Sequence, residues 1–152
     1  MGRGARGAVT PPAAFWDASA LVPLFVQQPK TPAARSFYGQ YEIVTWWGTR
    51  VEIASAIARL RRMNVIGPED SESSLKIASL LSQSWSVIEP SSALLAKAEQ
   101  LVQRYDLRAG DAFQLAAALE WCGDTPQDKT FLTAHRRLFE AAVSSGFDAQ
   151  PF

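Results

Sequence analysis

The chain has 152 residues, 47% of them hydrophobic, which is the size and composition of a single domain that buries a hydrophobic core. Its 15 basic and 15 acidic residues cancel, and this excludes nucleic-acid binding through bulk charge alone. No apolar run approaches the roughly 20 residues of a membrane span. The single cysteine, Cys122, excludes an internal disulfide framework. We therefore expect a cytoplasmic protein without a membrane segment.

Residues 1–13 are basic and rich in Gly, Pro and Ala, and they lack the apolar segment of a secretory signal. We expect them to form a flexible tail ahead of one domain at residues 14–152. In that domain, short apolar runs alternate with longer helical patterns. The predicted strands, in chain order, are AAFWDA, EIVTW, WSVIEP and KTFLTA, the last clear one. The predicted helices are SALVPLFVQQ, PAARSFYGQY, GTRVEIASAIARLRRM, GPEDSESSLKIASLLSQS, SSALLAKAEQLVQRY, AGDAFQLAAALEWC and RRLFEAAVSSG.

Short strands separated by helices favour parallel pairing through right-handed crossovers. The predicted fold class is therefore α/β, an open parallel sheet with helices on both faces. In such sheets, functional sites form beyond the carboxyl ends of the strands, where the strand order reverses. Polar residues at those ends are accordingly the first candidates for function.

Three acidic residues lie at or near the start of predicted helices. Asp17 ends the first strand, where an aspartate is also a favoured helix N-cap. Glu52 lies in the first turns of a helix that is apolar over much of its circumference, which predicts partial burial of its carboxylate. Asp111 begins GDAFQLAAAL, either as the N-cap of a capping-box variant with Gln114 or as an inner residue of a helix that starts earlier.

Each acid alone has a structural explanation, but together they predict three carboxylates at one edge of the sheet. Crowded carboxylates repel one another unless a positive charge joins them. Oxygen ligands select hard divalent cations, Mg²⁺ or Mn²⁺, over zinc. The chemistry inferred from this cluster is metal-assisted phosphodiester hydrolysis.

Four segments carry a resemblance to a known family: DASALVPLFVQQP, TRVEIASAIARLRR, YDLRAGDAFQLAAAL and FLTAHRRLFEAA. In their order and spacing, from about Phe15 to the end of the chain, the sequence resembles PIN-domain proteins. Within that family it looks most like the VapC-type toxin ribonucleases of type II toxin–antitoxin systems. The resemblance implies a three-layer α/β/α sandwich around a parallel sheet, and cleavage of RNA at an acidic Mg²⁺ or Mn²⁺ site.

The resemblance also implies roles for particular residues. Asp17, Glu52 and Asp111 match the family's three acids and would be both the catalytic residues and the metal ligands. Ser19 and Thr133 match small hydroxyl positions near the site, although local backbone capping explains them equally well. Such toxins are usually homodimers, and each is inhibited by a cognate antitoxin that covers the active groove.

His135 is the only histidine and stands where family members often carry a fourth acid. Three interpretations remain open at this point. The imidazole is a ligand for Mn²⁺, or it contacts a phosphate or transfers a proton, or it marks the tolerated loss of a weak ligand. The number of metal ions is open for the same reason.

Four arginines are candidate contacts for RNA phosphates: Arg59, Arg62, Arg136 and Arg137. A solvated helix face is the alternative for the first two. The leading function is a metal-dependent endoribonuclease toxin. The alternative is a non-catalytic PIN-like module that binds RNA or a partner through a degraded metal site.

Overall fold

The computed structural model describes residues 10–150 and 152. Within them, five strands form one parallel sheet in the order β3-β2-β1-β4-β5. The strands are Ala13–Trp16 (β1), Glu42–Trp46 (β2), Ser86–Ile88 (β3), Thr130–Leu132 (β4) and Asp148–Gln150 (β5). The helices are Ala18–Phe25 (α1), Thr31–Tyr38 (α2), Thr49–Arg62 (α3), Pro68–Ser82 (α4), Ser92–Arg104 (α5), Ala109–Trp121 (α6) and Arg136–Ser145 (α7).

The sheet separates two hydrophobic cores because side chains alternate between its faces. In β1, Phe15 points into the core formed with α5, α6 and α7, and it stacks on Phe131 of β4 at 5.3 Å between ring centroids. Ala14 and Trp16 point into the opposite core, formed with α1, α3 and α4. Helices therefore cover both faces, which confirms the predicted α/β/α sandwich.

The structure adds a strand and shortens a helix relative to the sequence prediction. β5 follows the strand predicted to be last; it has three residues and no apolar run, and its pairing to β4 begins with the bond from the Asp148 N–H to the Lys129 carbonyl. The helix predicted at residues 19–28 ends at Phe25. Beyond it, the Thr31 hydroxyl donates to the Pro23 carbonyl, so side-chain bonding replaces the next helical turn.

The strand order reverses at β1, which has β2 on one side and β4 on the other. The segments that follow these three strands therefore meet at one edge of the sheet. The tail predicted for residues 1–13 lies mainly outside the described residues, although Ala13 itself begins β1. None of the helices in the described part of the chain has the length and apolarity that a membrane crossing requires.

Candidate active site

Asp17 lies directly after β1 and is 4% exposed. It is the N-cap of α1, because its Oδ1 accepts a hydrogen bond from the Ala20 N–H at 3.2 Å. The Ser19 hydroxyl donates to the same carboxylate, with distances of 2.8 and 3.0 Å to its two oxygens. The capping interpretation is therefore right, and it is compatible with a second role, since the carboxylate keeps lone pairs for another partner.

Ser19 and Thr133 join the ends of β1 and β4. Their hydroxyl oxygens are 3.2 Å apart, and Ser19 Oγ also accepts the N–H of Ala134 at 2.9 Å. Thr133 Oγ1 accepts the N–H of His135 at 3.0 Å. Thr133 thus caps local backbone, as the alternative interpretation held, whereas Ser19 binds backbone 115 positions away and fixes the orientation of Asp17.

Glu52 lies in the first turn of α3 and is half-buried. Its Oε2 accepts a hydrogen bond from Nε2 of Gln114 on α6. The same amide nitrogen lies 3.0 Å from Oγ1 of Thr49, so Gln114 links Glu52 to Thr49, the first residue of α3. A Cβ placed on Gly110 would lie 2.9 Å from Glu52 Oε1, so the absence of a side chain there leaves room for the carboxylate.

The sequence left Asp111 either as the N-cap of a capping box with Gln114 or as an inner residue of a helix that starts earlier, and the second alternative is right. α6 begins at Ala109 with Arg108 as its N-cap, so Asp111 is already inside the first turn. Gln114 is 1% exposed and bonds across to α3. A buried amide in the middle of an apolar helix was the available signal, because such a group needs a partner from another element.

Asp111 has 19% of its side chain exposed, whereas Asp17 is 4% exposed. Its Oδ2 lies 3.8 Å from Nδ1 of His135, a contact too long for a hydrogen bond. His135 has 53% of its side chain exposed and is the N-cap residue of α7, with no capping bond from its side chain. The imidazole therefore lies at the mouth of the site.

Burial and neighbouring negative charges raise the pKa values of two acids in the site. Burial raises the pKa of the Asp17 carboxyl from 3.8 to about 7, in spite of the bonds from Ser19 and Ala20, and the charge of Glu52 adds to the rise. Burial also raises the pKa of Glu52; the bond from Gln114 lowers it, and the charge of Asp111 raises it further. These repulsions link Asp17 to Glu52 and Glu52 to Asp111, so the three carboxylates form one cluster.

The donor set matches the chemistry of a hard divalent cation. Among the described residues, no group of three or more His, Cys, Asp or Glu side chains is arranged so that it could hold a metal ion. Mg²⁺, however, usually takes only one or two carboxylates and completes its shell with water and substrate oxygens. Oxygen donors that are buried and mutually repulsive fit this requirement, and a cation would relieve the repulsion that raises their pKa values.

The candidate phosphate contacts divide into two pairs. Arg59 and Arg62 are exposed on α3 and line a shallow groove of about 410 Å³ together with Glu52. Arg136 pairs with Glu140 at 3.1 Å, and Arg137 lies 3.4 Å from Asp106. The first pair therefore shares a groove with one of the three acids, whereas each member of the second pair has an acidic neighbour outside them.

The model of the PIN domain family matches residues 14–123, which is more than half of the chain. The chain belongs to the PIN domain family. The matched region contains Asp17, Glu52 and Asp111, whereas Thr133 and His135 follow it. No curated protein sequence matches this PIN-domain chain.

Several solved structures share this fold at low sequence identity. The Mycobacterium tuberculosis VapC20 toxin, described as cleaving the sarcin–ricin loop, has a TM-score of 0.64 at 17% identity, covering 89% of this chain and 96% of that one. A toxin–antitoxin complex from Klebsiella pneumoniae has a TM-score of 0.60 at 16% identity, over 84% and 90%. VapBC-1 from nontypeable Haemophilus influenzae has a TM-score of 0.59 at 15% identity, over 91% and 97%.

Proposed function

We propose that this PIN-domain protein is a Mg²⁺- or Mn²⁺-dependent endoribonuclease and the toxin of a toxin–antitoxin pair. The observation that carries the proposal is the coupled carboxylate cluster at the switch point of the sheet, in which burial and the charge of Glu52 raise the pKa of Asp17 to about 7. A structural N-cap has no need of a second carboxylate beside it. A cation that is attracted to this cluster accounts for both acids.

In this proposal, some residues of the site bind the metal ion and another positions the attacking water. Asp17, oriented by Ser19, and Asp111, nearer to solvent, would hold the ion. When bound, such an ion activates the attacking water and stabilises the charge that develops on the leaving oxygen of a phosphodiester. Glu52 is held by Gln114 through Oε2, which leaves Oε1 to position that water and to accept its proton.

The partners follow from the same proposal. The substrate would be RNA and the location the cytoplasm; one solved neighbour is described as a toxin that cleaves the sarcin–ricin loop. Because another solved neighbour is described as a toxin–antitoxin complex, we propose a cognate antitoxin for this chain as well. A homodimer is part of the proposal through the family resemblance alone.

The test is cleavage of a mixed pool of cellular RNA by purified, antitoxin-free protein in Mn²⁺, in Mg²⁺ or in chelator. We expect cleavage only with metal, and none by the Asp111→Asn variant. The matched control is Asp106→Asn, which neutralises an exposed acid that pairs with Arg137 outside the cluster and should leave cleavage unchanged. Cleavage that persists in Asp111→Asn or in chelator would contradict the proposal.

A non-catalytic module that binds RNA or a partner is the second candidate. It is favoured by His135, which lies 3.8 Å from Asp111 at a position where the family often has an acid. If folded protein cleaves no RNA in either metal, the His135→Asp variant separates the two functions. Cleavage restored by the new carboxylate would support a degraded metal site, whereas continued inactivity would support a binding module.

A further inference from the structure

The face of α3 that carries Glu52 continues into basic residues. At 3.6 residues per turn, Arg59 and Arg62 lie within about 80° of Glu52 around the helix, whereas Arg61 lies roughly opposite to it. The helical rise places Arg59 about 10 Å and Arg62 about 15 Å from Glu52 along the axis. All three arginines are exposed, so only their direction relative to the acid distinguishes them.

Two shallow grooves follow this face, and Arg59 lines both. The groove of about 410 Å³ contains Glu52, Arg59 and Arg62. The other, of about 260 Å³, lies between α1 and α3 and includes Ser19, whose hydroxyl donates to Asp17. Lys30, in the loop between α1 and α2, lines this second groove. One groove therefore places Arg59 and Arg62 beside Glu52, and the other places Arg59 and Lys30 beside Ser19, the hydrogen-bond partner of Asp17.

The three cations that line these grooves differ from the cations of α7 in whether an acidic side chain lies next to them. In the part of the chain that the structure describes, no ion pair involves Lys30, Arg59 or Arg62. Arg136 and Arg137 each have a carboxylate within 3.4 Å, which cancels much of their field at a distance. An unpaired cation attracts a phosphate more strongly than a paired one.

We propose that Lys30, Arg59 and Arg62 form a phosphate track that guides single-stranded RNA into the acidic site, and that Arg136 and Arg137 take no part in it. The inference rests on the proposed function and names its substrate path. A chain with no net charge needs a local source of attraction for RNA, and the acidic cluster itself repels phosphates. Such contacts hold the backbone and carry no sequence information.

The experiment measures the salt dependence of RNA binding, with cleavage blocked. Asp111→Asn protein binds a fluorescent single-stranded RNA of mixed sequence in chelator, and anisotropy gives the affinity over a range of salt concentrations. Each phosphate contact on a single strand contributes about 0.7 to the slope of log affinity against log salt. We expect Lys30→Ala, Arg59→Ala and Arg62→Ala each to reduce that slope by about this amount, and Arg59→Lys to preserve it.

Arg61→Ala and Arg136→Ala are the matched controls, and their slopes should equal that of the parent protein. Equal slopes for all variants, or the same loss in Arg61→Ala as in Arg59→Ala, would overturn the track. Cleavage by the unmodified protein is scored separately. Cleavage with unchanged slopes contradicts the track alone, while reduced slopes without any cleavage support the track and contradict the nuclease.

Discussion

Single residues in this site serve both the fold and the proposed chemistry. Asp17 caps α1 through the Ala20 N–H and also faces the charge of Glu52. Capping stabilises the helix, whereas burial of an ionised carboxylate beside a like charge destabilises the protein. The contribution of the cap remains when asparagine replaces Asp17, whereas the contribution of the charge changes with pH and disappears in that variant. The two contributions can therefore be measured separately.

The pH dependence of stability tests the electrostatic part. We expect the free energy of unfolding of the metal-free protein to fall as pH rises from about 4 to about 7, and then to level off. The reason is that burial raises the pKa of Asp17 from 3.8 in the unfolded chain to about 7 in the folded protein, so over this range the folded state holds a proton that the unfolded state has released. Urea unfolding in chelator at several pH values measures the effect.

Asp17→Asn provides the comparison, because asparagine keeps the cap and cannot ionise. It should flatten this part of the pH profile and raise the free energy of unfolding at pH 8 by up to roughly 4 kcal/mol, the equivalent of the pKa shift. Asp17→Ala, which also loses the cap, should be less stable than Asp17→Asn by about 1 kcal/mol. A pH profile that is the same for the unmodified protein and Asp17→Asn would show that the carboxyl is ionised throughout and that its pKa is not raised.

Gln114 is a positioning residue for Glu52 in this account. Gln114→Leu keeps a side chain of similar size but leaves Glu52 Oε2 and Thr49 without their donor, so we expect a loss of about 1–3 kcal/mol in unfolding free energy. We also expect Mn²⁺ affinity to fall about 10- to 100-fold, as for other groups that orient a ligand. Calorimetric titration with Mn²⁺ and urea unfolding measure the two effects.

The control is Gln103→Leu, which changes an exposed glutamine on α5 and should alter neither quantity. A loss of stability in Gln114→Leu with unchanged Mn²⁺ affinity would show that Gln114 only fills the core.

At the scale of elements, the helix pattern was the easiest part to predict and short edge strands were the hardest. Apolar periodicity identified α3 and α7, and the glycine after α7 marked its end at Gly146. β5 has three residues, two of them polar, and pairs only because β4 offers a free edge. Strand pairing that depends on another element leaves no pattern in the strand's own sequence.

The end of α7 gives a test at this scale. Gly146 has φ of 106° and its Cβ position is 3.1 Å from Pro126 Cγ, so Gly146→Ala should destabilise the protein by at least about 1 kcal/mol. Gly39, the C-cap of α2, has φ of −72°, and Gly39→Ala should be neutral or stabilising by about 0.4–1 kcal/mol. Urea unfolding compares the two, and similar effects of both substitutions would contradict the left-handed cap.

At the scale of the whole molecule, the order of strands and helices was sufficient to predict the sheet and its parallel pairing. Asp17 was identifiable because it directly follows a strand. The bond between Gln114 and Glu52 was not, because it joins residues 62 positions apart and depends on how α6 crosses α3. Contacts of this kind arise from tertiary packing, which no local pattern of residues encodes.

The division of the arginines also belongs to this scale. The sequence presented Arg59, Arg62, Arg136 and Arg137 as equivalent cations on two helices. The folded chain gives Arg136 and Arg137 acidic neighbours and leaves the other two in a groove beside Glu52. A neutral molecule can thus present a local positive surface next to a cluster of acids, which suits a substrate that carries its charge on a flexible backbone.

The central claim is that Asp17 and Asp111 bind a divalent cation beside Glu52, and calorimetric titration of the metal-free protein with Mn²⁺ tests it most directly. We predict binding by the unmodified protein and by Asp106→Asn, and loss of binding in Asp17→Asn and Asp111→Asn, each shown to be folded. Equal Mn²⁺ binding in all four proteins, or none in the folded unmodified protein, would contradict the claim.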